Sequence, residues 1–125
     1  MSDDRRAIIL FAHGARDPRW AEPFRRLRER VAAKSDRPVV LAFLELMTPT
    51  LDEAVDALVA DGRTQLAVVP IFFGQGAHLR RDLPLLVDAL RRRVVHATID
   101  VAEAAGEDDA VLDALADYCV RASAP

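Results

Sequence analysis

The sequence predicts an α/β fold: one four-stranded parallel sheet with helices on both faces, three layers in all. Two observations carry this. Four short apolar runs are each followed by a stretch of helical periodicity, the alternation that builds strand–helix–strand units with right-handed crossovers. The runs are also nearly continuous in apolar residues, as expected of strands buried on both faces. With 125 residues, 51% hydrophobic and 30% charged, the chain reads as a single domain, 1–125, with a real core and a solvated surface. Disordered and fibrous classes do not fit that balance.

The elements follow in order. Ala7–Ala12 is the first strand and ends at His13-Gly14. Asp17-Pro18 can open a helix, with Asp as N-cap and Pro in the first turn. Trp20, Phe24, Leu27 and Val31 follow at helical spacing, and Pro23 moves the expected start nearer Glu22. The second strand is Pro38–Leu44, followed by a turn from Glu45 to Pro49. Thr50 with Glu53 three residues on has the pattern of a capping box. Leu51, Ala54, Val55, Leu58 and Val59 form one apolar stripe, and Asp61-Gly62 ends that helix. The third strand is Leu66–Phe73, with a loop over Gly74–His78 and a helix from about Arg80 through Leu83, Leu86, Val87 and Leu90. The fourth unit is weaker: a strand over Val94–Val101, a turn at Gly106, and a last helix carrying Val111, Leu112, Leu115 and Tyr118.

Several classes are excluded. A formal net charge of -3 without a basic stripe argues against a nucleic-acid partner. The start does not read as a signal peptide, and no run approaches the roughly 20 apolar residues of a membrane span. A cytoplasmic protein with no membrane partner is expected. Cys119, the only cysteine, allows neither an internal disulfide nor a cysteine-rich zinc site, and is expected to pack on the last helix. His96 is read as structural, inside or at the start of the last strand. No Gly-x-Ser-x-Gly elbow is present, and Gly74-Gln-Gly76 does not continue as a dinucleotide fingerprint, because Leu79 stands where a third glycine would fall.

In parallel sheets, ligands bind beyond the carboxyl ends of the strands. His13, Glu45 and His78 each follow a predicted strand and are therefore expected on one rim. Two imidazoles and a carboxylate there can hold a divalent metal ion. A turn or loop role serves each histidine equally well, and their spacing matches no short local metal motif. Gly14, Gly74 and Gly76 would allow close backbone approach to a ligand or simply make turns. Arg16, Arg19, Arg80 and Arg81 lie near the same rim, where guanidinium groups could pair with carboxylates.

These residues also carry a resemblance. Phe11–Trp20 resembles the first motif of the short CbiX-type sirohydrochlorin chelatases, within the type II chelatase family. Ala42–Thr50 is similar to their second motif and Val69–Pro84 to their third, in consistent order and spacing over residues 7–91. Ala15 stands where the family often has Ser, and Ala77 where it often has Gly. The resemblance implies a chelatase-like (flavodoxin-like) lobe that inserts Co²⁺, Fe²⁺ or Ni²⁺ into sirohydrochlorin or a related tetrapyrrole, in cobalamin- or siroheme-type biosynthesis. It implies His13, His78 and Glu45 as catalytic and metal-holding residues, with Arg16, Arg80, Arg81 and Gly76 toward the substrate. No cofactor is implied beyond the metal, which is itself a substrate. Longer chelatases have two such lobes around one cleft, so a homodimer is implied here. A carrier of metal or tetrapyrrole without insertion activity would need the same residues, and a structural module with incidental histidines is the remaining alternative.

Overall fold

The computed structural model describes residues 4–74 and 76–125, excluding the side chains of Ala77 and His78. Ser2, Gln75 and the His78 side chain therefore lie outside the described set. The elements are β1 (Arg6–Ala12), a 3-10 turn (Pro18–Ala21), α1 (Glu22–Lys34), β2 (Val39–Phe43), α2 (Leu51–Ala60) and β3 (Gln65–Pro70), then α3 (Ala77–Arg93), β4 (Thr98–Val101), a second 3-10 turn (Ala105–Glu107) and α4 (Asp109–Ala122). The sheet order is β2-β1-β3-β4, and every neighbouring pair is parallel. The chain leaves β1 toward β2 and then crosses back to β3. The connections diverge between β1 and β3, which makes that gap the switch point where such sheets bind ligands.

Local chemistry explains the boundaries. The Asp17 carboxylate accepts from the Arg19 amide at 2.9 Å and starts the 3-10 turn, so α1 proper begins at Glu22, as Pro23 required. The Thr50–Glu53 capping box forms in both directions, at 3.2 and 2.9 Å. Gly62 takes φ +84 just past the end of α2.

Three boundaries differ from expectation. β3 ends at Pro70, not Phe73: its ladder to β1 closes with the Ile71 amide bonded to the Phe11 carbonyl at 2.8 Å. α3 begins at Ala77, not Arg80. Gly76 is extended, and its carbonyl accepts from the Arg80 amide at 3.1 Å, so His78 sits in the first helical turn rather than in the loop. That turn contains one large apolar residue, Leu79, which is too little for periodicity to register. Pro84 lies inside α3 and, lacking an N–H, gives the Arg80 carbonyl no intrahelical donor. β4 begins at Thr98, because Val94–Ala97 is a turn closed by Ala97 N–H to the Val94 carbonyl at 3.0 Å. His96 is therefore exposed in that turn and outside the strand.

The two faces of the sheet are filled unequally. On one, Ala7, Ile9, Phe11, Leu66, Val68 and Ile99 are buried beneath α2 and α3. On the other, Leu10, Ala12, Val39, Leu41 and Phe43 lie beneath α1 alone, and Phe24, Leu27 and Val31 of α1 are only partly buried. α4 covers neither: every residue from Glu107 to Pro125 is exposed. Cys119 is thus exposed and not packed, because its helix stands off the body. Among the described residues, no helix is long and apolar enough to cross a membrane.

Candidate functional site

The parallel pairing of β1 and β2 continues past both strands. Leu44 donates to the Ala12 carbonyl at 2.9 Å and Glu45 to the His13 carbonyl at 3.1 Å. Gly14 makes the turn possible. Its φ is +99, and a Cβ there would stand 1.8 Å from the Glu45 carbonyl oxygen. No other residue permits both the dihedral and the approach. The consequence is that His13 and Glu45 project side by side, with His13 Nε2 3.5 Å from Glu45 Oε1. The His13 ring is backed edge-on by Phe72, with centroids 6.0 Å apart, and Phe72 in turn by Phe11 at 5.7 Å. Both polar side chains remain about half exposed, at 52% and 56%.

That separation suits a shared ion. Two donors each about 2.1 Å from one metal at a tetrahedral angle stand about 3.4 Å apart. Among the described residues, no group of three or more His, Cys, Asp and Glu converges. His78 lies on the third connection of the same rim, in the first turn of α3.

The pair opens on a cleft of about 420 Å³ lined by His13, Leu44, Glu45, Gly74, Gly76, Leu79 and Asp82. The fold thus brings together four of the residues singled out in the sequence: His13, Glu45, Gly74 and Gly76. Arg16 and Arg81 are exposed and do not line this cleft. Arg80 lines a separate groove with Leu83, Pro84, Val87, Asp88, Arg91 and Val101. Arg19 is engaged with Asp17 at 2.8 Å.

The sequence profile of the CbiX family matches residues 7–122. The chain belongs to the CbiX family. Its relatives include the sirohydrochlorin cobaltochelatase of Saccharolobus solfataricus, 38% identical over 80 residues, which are 64% of this chain and 62% of that protein. The sirohydrochlorin ferrochelatase of Priestia megaterium is 28% identical over 110 residues, 87% of this chain and 41% of the relative. This chain therefore spans less than two thirds of the length of either. Among solved structures, a CbiX protein of Marinobacter aquaeolei, whose name associates it with cobalamin biosynthesis, superposes with a TM-score of 0.85 at 34% identity, covering 93% of this chain and 95% of that one. The sirohydrochlorin chelatase SirB of Bacillus subtilis in complex with cobalt superposes with a TM-score of 0.79 at 28% identity, covering 93% of this chain and 50% of its own.

Within this CbiX lobe, three rim residues escaped the sequence reading. Asp82 lines the cleft from α3, four residues after His78, a helical spacing that becomes a signal once α3 is known to begin at Ala77. Leu46 follows Glu45 directly, is exposed, and holds φ +66, a region leucine rarely occupies. Phe73 is exposed on the loop that supplies Gly74. Neither Leu46 nor Phe73 carries a pattern in the sequence that marks it as exposed.

Proposed function

We propose that this chain is a chelatase that inserts a divalent ion, Co²⁺, Fe²⁺ or Ni²⁺, into sirohydrochlorin or a related tetrapyrrole, in cobalamin- or siroheme-type biosynthesis in the cytoplasm. The observation that carries the reading is the His13–Glu45 pair, 3.5 Å apart at the mouth of a cleft beside the switch point. The family and the names of its relatives support the substrate and metal class.

Insertion exchanges one divalent ion for two pyrrole N–H protons. The His13 imidazole can hold the incoming ion through Nε2 and, once the ion has left, accept one of the displaced protons. Glu45 supplies the neighbouring oxygen, as a second donor to the ion or as the next acceptor for the proton. His78 is assigned the remaining ligand position. Open coordination sites let the ion pass from protein to macrocycle. Gly76 offers its backbone to the substrate at the cleft wall, and Arg16, Arg80 and Arg81, which lie outside the cleft lining, are assigned to the carboxylates of a macrocycle that extends beyond it. A lobe with one cleft wall needs a second to exclude water, so the working unit is a homodimer.

The direct test is absorbance of sirohydrochlorin mixed with purified protein and each of the three ions in turn. Accelerated spectral conversion with at least one ion is expected. Tight binding of metal or tetrapyrrole without acceleration would identify a carrier instead. Replacing both Arg80 and Arg81 by Ala should weaken substrate binding and flatten its salt dependence; unchanged affinity and salt response would remove the arginines from the site.

A further inference from the structure

A helix that covers no part of the sheet and a sheet strip that is only partly covered belong to the same chain. On α4, Val111, Leu115 and Tyr118, with Leu112 and Cys119 beside them, share one side at helical spacing, while Asp109, Asp113 and Asp117 share the opposite side. An amphipathic helix of this kind is marginal alone in water and normally gains its stability from packing that face. Here the whole helix is exposed. On the sheet, Ile8 of β1, Ala67 and Val69 of β3 and, just past the strand, Ile71 turn to the α1 side, where Ile8, Val69 and Ile71 border the cluster beneath α1. All four are only partly buried, although their immediate neighbours Ile9, Leu66 and Val68 are 0–1% exposed on the opposite face. Ala67 is small enough to let a helix approach closely.

The chain cannot close this gap with its own helix as α4 is now held. The Gly106 amide donates to the Phe72 carbonyl at 2.9 Å, and a Cβ on Gly106 would stand 1.6 Å from the Phe73 carbonyl oxygen. Ala104, next to it, is 1% exposed. Three residues after this pin α4 has begun, with Asp108 capping the Val111 amide at 3.1 Å. No slack remains between pin and cap for the helix to fold back.

We infer that in the homodimer proposed above, on which this rests, each copy lays its α4 across the partly covered β1–β3 strip of the other. The exchange is isologous and closed, so it satisfies both unpartnered surfaces in both copies and leaves no further binding edge. It also uses four surfaces rather than two, which helps a short chain approach the about 1,600 Å² of a standard stable interface. The acidic stripe of Asp109, Asp113 and Asp117 stays in water.

The test combines mass with connectivity. Wild-type protein should sediment at twice the 13.8 kDa chain mass. Leu115→Asp should sediment as a monomer with an unchanged far-UV spectrum for the body, since α4 contributes nothing to that body's core. A short bis-maleimide should then link Cys119 of one chain to position 67 of the other in an Ala67→Cys variant, in the covalent dimer band only. A dimeric Leu115→Asp variant, or a Cys119–Cys119 link in wild-type protein, would overturn the exchange while leaving the homodimer standing. A monomeric wild type that is fully active would overturn the homodimer, and the exchange with it.

Discussion

The two faces of one sheet differ more than any two elements of the chain. The same β1 turns Ile9 to a face sealed by α2 and α3, where exposure falls to 0%, and Ile8 to a face where α1 alone stands guard. α2 buries four of its residues, Leu51, Ala54, Val55 and Leu58, whereas α1 fully buries none. Strand composition does not distinguish the faces, since both sides of β1 and β3 are apolar. The difference teaches that one lobe seals one face of its sheet and leaves part of the other only half-buried. The remaining apolar surface, on the sheet and on α4, is what the proposed exchange between copies rests on.

The sharpest way to break this contrast is a matched pair of substitutions. Ile9→Ala should cost about 2–5 kcal/mol of folding stability, the range for emptying a closed core position. Ile8→Ala, one residue away, should cost about 1 kcal/mol in dilute protein and more as concentration rises into the dimeric range. Equal, concentration-independent costs in chemical denaturation would mean the faces are equivalent.

A substitution at the rim comes next. Gly14→Ala forces a side chain into a φ of +99 against the Glu45 carbonyl. The strain should cost about 1–3 kcal/mol and push the Glu45 backbone away from His13. Metal affinity should therefore fall by more than stability alone explains, which titration of the folded variant would show. Retained affinity would mean that the His13–Glu45 spacing does not matter.

The helix caps give smaller effects. Thr50→Ala removes half of the capping box on the sealed face and should cost about 1 kcal/mol. On the open face the cap is Asp17, whose carboxyl is held below its ordinary value by its hydrogen bonds to Arg19. Because the folded value is depressed, that contribution is present above the unfolded value of 3.8 and is lost as pH falls through the lower folded value. Asp17→Asn should flatten the fall of melting temperature in that acidic window alone, and melting curves across it would reveal any other behaviour.

Much of this was legible in the sequence for physical reasons. Continuous apolar runs bounded by His13-Gly14 and Asp61-Gly62 gave the strands and the helix stop, and Thr50–Glu53 gave a helix start to the residue. The rim pair His13 and Glu45 was legible because both follow strands of one parallel sheet. Their 3.5 Å spacing was not, because it depends on Gly14 packing against a backbone carbonyl far along the chain. The early start of α3 was hidden because its first turn is capped by Gly76 and holds only Leu79 as a large apolar residue. The exposure of α4 and Cys119 was hidden as well: an amphipathic pattern reports that a helix has an apolar face, and not whose surface that face meets.

If the rim pair delivers metal to a tetrapyrrole, His13 cannot be spared. The measurement is the initial rate of Co²⁺ insertion into sirohydrochlorin by wild type and by His13→Ala, at matched concentration and with matched circular dichroism. The account predicts a fall of about 100-fold or more, the scale on which a positioned acid–base group contributes. A folded His13→Ala protein that metallates at the wild-type rate would contradict it.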